Sequence, residues 1–248
     1  MTDRQKQILE ELTHANRMEV NALAVRLGVS QVTVRKDLAA LEKIGLIRRE
    51  FGFACIGSRD DLNTRLAYHY EEKTRIARMA AELVEPGENV MIESGSCCVL
   101  LAEELVKRKR DVTIITNSAF IAGYLRSHPA ARVILLGGNY QPEAQVMVGP
   151  LVRTCAEQFF VDKLFIGTDG YRSDSGFTSS DMLRAEAVNA MRRQVQRTII
   201  LTESQKFSTS GVVSLVRNRD VYAVCTDANV PKEAEDELTA CGVQIYKA

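Results

Sequence analysis

Along the first quarter of the chain, apolar residues recur at helical spacing; beyond it they gather into short unbroken runs. Ile8, Leu9 and Leu12 mark a first helix, for which Thr2 and Gln5 supply a capping box. Val20, Leu23, Ala24 and Leu27 fall at i, i+3, i+4 and i+7 of a second helix. Gly28 ends it, because glycine enters the left-handed turn that a Cβ disfavours. Ser30 then stands as the N-cap of a third helix with Val34, Leu38 and Leu41 inward and Gln31, Thr33, Arg35 and Lys36 outward. After Gly45, LIRRE-FG-FACI reads as two short strands about a Phe-Gly turn, a wing carrying Arg48 and Arg49. Two short helices joined by a glycine turn, the second with a polar, basic leading end, describe a winged helix-turn-helix.

The polar stretch after the wing reads as a linker, and a helix is expected from about Arg65 to Val84, stopped by Pro86-Gly87. From Val90 onward, runs such as VMIE, VTIIT, VILLGG, KLFIGT, TIILTE and VYAVCT alternate with helical stretches of about ten residues. Continuous apolar strands separated by helices predict an open, mainly parallel α/β sheet covered on both faces. The expected organisation is a DNA-binding domain over 1–57, a linker over 58–74, and an α/β effector-binding and oligomerisation domain over 75–248.

Net charge alters this picture little. Lys+Arg and Asp+Glu number 32 each, so no global basic excess announces a nucleic-acid partner. The excess is local: Arg35, Lys36, Lys43, Arg48 and Arg49 outnumber Asp37 and Glu42 between positions 31 and 49. Phosphate contacts supply much of a DNA-binding protein's affinity, so DNA binding must come from such patches and from pairing two heads. No apolar run approaches the roughly 18 residues of a membrane-spanning helix, and a cytoplasmic protein is expected. The six cysteines form no C-x-x-C pair and have no histidine at zinc spacing, so neither metal nor cofactor is expected.

The ends of the predicted strands hold a second polar constellation. The first runs into Glu93-Ser94-Gly95-Ser96-Cys97 and a helix, whose amino end can cradle an anion. The next ends at Thr116-Asn117, the third at Gly137-Gly138, and the fourth, flanked by Lys163, at Gly167-Thr168-Asp169-Gly170. Ser175-Gly176-Phe177-Thr178, Glu186, and Glu203-Ser204-Gln205-Lys206 follow. Hydroxyls, an amide, carboxylates and two lysines at one sheet edge suit a phosphorylated polyol.

The segment VSQVTVRKDLAALEKIGLIRREFGFA, followed in order by IESGS, TN, GG, KLFIGTDG, GFT and QKF, resembles the DeoR family of bacterial transcription regulators over essentially the whole chain. The resemblance implies an oligomeric repressor, dimer or tetramer, on double-stranded operator DNA, tuned by a phosphorylated sugar in a domain similar in fold to sugar-phosphate isomerases. Carried over by position, the phosphate loop falls on Ser94, Gly95, Ser96 and Cys97. The polar strand-end contacts fall on Thr116, Asn117, Asp169 and Gly170, and the late lysine on Lys206. The chain departs from the family pattern at Glu93 and Glu203, each one methylene longer than the usual aspartate. It also departs at Ser96-Cys97, where a pair of threonines is usual, and at Phe53, where the wing usually has a second glycine.

On this reading Ser30, Gln31, Thr33 and Arg35 face the bases, while Lys36, Arg48 and Arg49 hold phosphates. The effector contacts are the strand-end residues with Gly137, Gly138, Lys163, Glu203 and Lys206. Two alternatives stay open. One is an isomerase-like enzyme, for which Glu93, Glu186 and Glu203 are the carboxylates available for acid–base work. The other is a ligand-blind regulator whose second domain only oligomerises.

Overall fold

The computed structural model describes residues 1–43, 45–56 and 62–248, and the polar stretch expected as a linker falls largely outside them. The chain forms two compact units, Met1–Glu71 and Glu72–Ala248.

In the first unit, α1 (Asp3–Ala15) begins at the Thr2–Gln5 capping box and buries Ile8, Leu9 and Leu12. A short β1 (Arg17–Glu19) leads to α2 (Val20–Leu27), which ends with Gly28 in the left-handed region at φ +63°. The next helix, α3 (Gln31–Lys43), buries Val34, Leu38 and Leu41, with the Ser30 hydroxyl accepting from the Thr33 amide at 3.2 Å. It also buries Asp37, whose carboxylate takes Arg4 Nε at 2.5 Å and Gln5 Nε2 at 3.3 Å. Burying a carboxylate costs free energy unless donors meet it, so these two bonds tie α3 to α1. The wing is β2 (Arg48–Glu50) and β3 (Phe53–Cys55), joined by Phe51 and Gly52 at φ +35° and +84°, the doubly left-handed backbone of a tight hairpin turn.

The sequence pattern did not reveal β1, which pairs with β3 to make the wing three-stranded in the order β1-β3-β2. It also explains Phe53: the Arg17 guanidinium lies 4.0 Å from that ring's centroid, a contact a glycine would forfeit. The single helix expected from Arg65 to Val84 is two, α4 (Leu62–Ala67) and α5 (Tyr70–Ala81), parted at His69 with φ +50°. Part of the expected linker is thus ordered helix, α4 packing on α1, and the two units divide inside the first turn of α5.

In the second unit the strands and helices alternate as expected. β4 (Asn89–Ile92), α6 (Ser96–Arg108), β5 (Thr113–Thr116), α7 (Ala119–Leu125) and β6 (Arg132–Leu135) come first. A hairpin of β7 (Asn139–Gln141) and β8 (Val146–Val148) then leads to α8 (Pro150–Ala156) and β9 (Val161–Ile166). After it come β10 (Gly170–Arg172), β11 (Gly176–Ser179), α9 (Met182–Arg192), β12 (Val195–Leu201), β13 (Val213–Val216), β14 (Ala223–Thr226), α10 (Lys232–Ala240) and β15 (Gln244–Lys247).

Seven of these strands form one sheet, β15-β14-β12-β9-β4-β5-β6, with every neighbouring pair parallel. Met91, Ile115, Leu164, Ile166, Ile200 and Val224 are buried between the layers, which is why these strands read as unbroken apolar runs. The chain builds β4, β5 and β6 outward on one side, then crosses back to lay β9 on the other side of β4. The strand order therefore reverses between β4 and β9, and in open α/β sheets the crevice outside the carboxyl ends at such a reversal is where ligands bind. The small antiparallel sheet β10-β11-β13 and the β7–β8 hairpin were not legible in advance.

Candidate functional site

The exposed face of α3 in the first unit follows from helix periodicity. With Val34, Asp37, Leu38 and Leu41 buried, α3 leaves Gln31, Val32, Arg35 and Lys36 exposed. Ser30 and Thr33 bond each other, Oγ to Oγ1 at 2.9 Å, so these two hydroxyls shape the helix start. Arg48 is exposed on the wing. Arg49 is engaged within the unit: Glu42 accepts from its Nε at 2.6 Å and its backbone amide at 3.0 Å. The same hydrogen bond holds the Glu42 carboxyl below its ordinary range. Val32, 75 % exposed, escaped the sequence reading, since an apolar residue off the buried stripe gives no signal until the helix face is fixed.

In the second unit the reversal between β4 and β9 brings two loops into backbone contact. A Cβ on Gly95 would come within 2.9 Å of the Gly167 Cα, so only glycine allows this approach. Glu93 fills the space beside them: its carboxylate accepts from the Gly95 and Gly167 amides at 2.9 and 3.2 Å and from the Ser94 hydroxyl at 2.6 Å. A carboxylate thus already holds the Gly95 amide, one of those that the sequence offered to a phosphate. The longer arm that distinguishes Glu93 from the family's aspartate spans to both the Gly95 and Gly167 amides. Ser96 and Cys97 form the first turn of α6, where the N-cap, Gly95, contributes no side-chain hydrogen bond.

Glu203, at the end of β12, closes this group. Its Oε2 accepts from the Cys97 thiol at 3.8 Å, and its Oε1 lies 3.1 Å from Lys73 Nζ. Burial by itself would push the Glu203 carboxyl up, but Lys73, with the field of Lys206, holds it below the usual carboxylate range. Its folded-state value is depressed, so Glu203 stabilises the fold fully above the ordinary carboxylate value of 4.5. That contribution is lost as pH falls through the lower folded value. Glu203→Gln is accordingly expected to be less stable than the wild type at pH 7, with the difference closing as pH falls below 4.5, as thermal melts at descending pH would record.

Lys73 itself went unnoticed because it falls where the sequence suggested a linker. Its signal was nonetheless present: a lysine at i with Ile76, Ala77 and Ala80 at i+3, i+4 and i+7 sits on the buried stripe of α5.

The remaining strand ends form two neighbouring groups. At the end of β5, Thr116 Oγ1 accepts from the Ser118 amide at 3.0 Å, and Asn117 Nδ2 donates to the Met147 carbonyl at 3.0 Å. Asn117 Oδ1 is buried and has no hydrogen-bond partner among the described residues. Gly138 lets the hairpin fold close, since a Cβ there would meet the Val148 carbonyl at 2.7 Å; at Gly137 the nearest contact would be an ordinary 3.7 Å. At the exit of β9, Asp169 Oδ2 accepts from the Ser180 amide and hydroxyl at 2.8 and 2.7 Å. Gly170 abuts the backbone of Thr209 in the segment that carries Lys206.

Lys163 must be removed from this set. It pairs in register with Val90, near the amino end of β4, and Glu88 accepts from its Nζ at 2.6 and 2.8 Å. Strands rise about 3.3 Å per residue, so the few residues separating it from Gly167 carry it to the opposite edge of the sheet. Glu186 also lies apart from the strand ends, half-exposed on α9 and bonded to Arg153 at 2.8 Å. Ser175–Thr178 form the β10–β11 hairpin, with Phe177 buried in the core.

An exposed helix-turn-helix face in one unit and polar groups gathered at a parallel-sheet reversal in the other suit a regulator with a sensor. Comparison with known proteins agrees. Residues 4–59 match the DeoR-like helix-turn-helix domain and residues 68–228 the DeoR C-terminal sensor domain. The chain belongs to the DeoR family of transcriptional regulators. It is 30 % identical to the HTH-type transcriptional regulator UlaR of Shigella dysenteriae over the full length of both chains. It is 26 % identical to the regulator GolR of Listeria innocua, over 98 % of this chain and 97 % of that one. It is 27 % identical to a protein named as an aga operon transcriptional repressor of Escherichia coli O157:H7, over 98 % and 93 % of the two chains. Among solved structures, the full-length sorbitol operon regulator of Klebsiella pneumoniae aligns over 96 % of this chain and 99 % of its own, at a TM-score of 0.42 and 13 % identity. Among the described residues no helix is long and apolar enough to cross a membrane, and no cluster of His, Cys, Asp and Glu is arranged to hold a metal ion.

Proposed function

We propose that this regulator represses a carbohydrate-utilisation operon in the cytoplasm and that a phosphorylated sugar or sugar alcohol, bound at the β4/β9 reversal, sets its affinity for DNA. Two copies place α3 in successive major grooves, where Gln31 and Arg35 read base edges and Val32 offers a methyl contact to thymine. Lys36 and Arg48 hold phosphates, and Arg49 joins them on release from Glu42. The observation that carries the sensor half is the convergence of Gly95, Gly167, the first turn of α6, Glu203 and Lys206 at the one place where the strand order reverses. Asn117, with a buried acceptor left unpaired, stands at the adjacent strand end for a ligand hydroxyl.

Catalysis is disfavoured by the state of the carboxylates. Glu93 is spent on three hydrogen bonds and Glu203 on Lys73, while a general base needs a carboxylate in reach of a substrate proton. The full-length chain, mixed with sheared genomic DNA of its source, should retain a small set of fragments at moderate salt. A panel of pentose, hexose and hexitol phosphates should then change that retention. Recovery of random fragments only would refute the operator reading, and retention indifferent to every phosphate would refute the sensor.

A further inference from the structure

Phe51, at the tip of the wing, is unfavourable to the fold on two counts. It is 106 % exposed, so its ring stays in water where a small polar residue would serve the turn as well. Its φ of +35° lies in the left-handed region, where a Cβ is strained and where tight hairpins favour Asn or Asp before Gly. The pairing of Glu50 with Phe53 leaves only Phe51 and Gly52 in the turn. The tip is nonetheless firmly held. The Gly52 carbonyl accepts from the Val20 amide, at the start of α2, at 2.9 Å. Glu42 of α3 accepts from the amide and guanidinium of Arg49, and Arg17 packs over the ring of Phe53. A single exposed aromatic residue is thus carried on a narrow projection anchored to both helices of the helix-turn-helix.

We infer that Phe51 is a minor-groove wedge: its ring enters the minor groove beside the major groove that takes α3, presses between two base pairs and bends the duplex there. The inference rests on the operator reading above and adds to it a residue and a mode of recognition. Size favours duplex DNA over a second copy of the chain. One phenylalanine offers about 150–250 Å² of surface, far below the roughly 800 Å² per partner of a stable protein interface. A two-residue tip is narrow enough for a groove about 6 Å wide. Charge favours the same occupant, because Arg48 and Arg49 on the strand leading to the tip face the phosphates that line such a groove. Glu50, the acidic residue of that strand, accepts from the Cys55 thiol at 4.0 Å across the hairpin. A ring pressed between base pairs leaves water for stacked π-faces, and the bend it forces is easiest at flexible pyrimidine–purine steps. Specificity then arises at a step that no side chain reads by hydrogen bonds.

The test compares the full-length wild type with Phe51→Asn and Phe51→Trp on a fragment selected from genomic DNA. The site is placed at the middle or the end of otherwise equal duplexes, so that gel mobility reports the bend. The wild type should bend the fragment. Phe51→Asn should bind it roughly 5- to 50-fold more weakly and lose most of the bend. The same variant should melt higher by roughly 2 °C, because Asn suits the left-handed turn. Phe51→Trp should keep both affinity and bend. A residue needed only for the wing's fold would lose stability and DNA binding together, so the opposite signs mark the wedge. A wild-type complex with no bend, or a Phe51→Asn complex that keeps it, would overturn the wedge while leaving the operator reading intact. Loss of self-association by Phe51→Asn in sedimentation, with the bend retained, would assign the ring to a second copy instead. If the wild type prefers no fragment over scrambled DNA, the operator reading and the wedge fail together.

Discussion

Replacing Arg35 by alanine is expected to abolish most of the chain's preference for its own operator while leaving its affinity for random DNA nearly unchanged. Arg35 is exposed on the outer face of α3, one turn after Gln31, and the buried stripe of Val34, Leu38 and Leu41 fixes that face. A guanidinium bidentate to guanine contributes about 1–3 kcal/mol of discrimination, so specific binding should fall by roughly 5- to 150-fold. As a surface substitution it should move stability by less than about 0.5 kcal/mol. Arg49→Ala provides the contrast. Its guanidinium sits on the wing and is held by Glu42, so its loss should weaken all DNA similarly and flatten the salt dependence. Gel shifts of the selected fragment and a scrambled duplex at two salt concentrations separate the two behaviours. Equal losses on both duplexes for Arg35→Ala would remove it from the base-reading set.

Gly170→Ala is expected to destabilise the second unit by about 3 kcal/mol, lowering its melting midpoint by roughly 10 °C, the upper end of overpacking costs because the clash is with backbone. The added methyl would lie 2.3 Å from the Thr209 carbonyl oxygen and 2.6 Å from the Ser210 Cα. No flexible side chain can swing aside, so the segment carrying Lys206 must move. The Tyr171 amide donates to that same carbonyl at 2.8 Å, and Phe207 packs on the rings of Tyr171 and Phe177. Displacing Thr209 therefore disturbs both this backbone bond to β10 and the aromatic cluster around Phe207, next to Lys206. Gly123→Ala is the control, since a Cβ in that helix meets nothing within 4 Å; it should be neutral or slightly stabilising. A Gly170→Ala midpoint within a degree or two of the wild type would show that the Thr209 segment yields freely.

Local pattern sufficed wherever one face of an element is buried by its own neighbours in the chain. The Thr2–Gln5 box, the Gly28 turn, the Ser30 cap and the stripes of α1, α2 and α3 are all set by residues within one or two turns of each other. So are the apolar strands β4, β5, β9, β12 and β14, whose burial on both faces leaves no other reading of their composition. The motifs at strand ends were legible for the same reason, since a strand's end is marked by the residues that stop it.

Contacts between residues distant in sequence had no such mark. Lys163 and Lys73 illustrate this in opposite directions. Lys163 lies between Asp162 and Leu164 and Lys73 between Glu72 and Thr74, neighbours that name no partner, yet parallel register places the first beside Glu88 at the sheet's amino edge, while the packing of α5 delivers the second to Glu203 at the carboxyl edge. Strand β1 likewise exists only through its pairing with β3, and the small sheet β10-β11-β13 only through glycines that let Thr209 and Val216 approach. The sequence by itself determined two units, their classes and the chemistry available at the strand ends. Tertiary structure alone decided which of those groups meet, because a charge finds its partner through the long-range register of strands and helices, and no local spacing encodes that register.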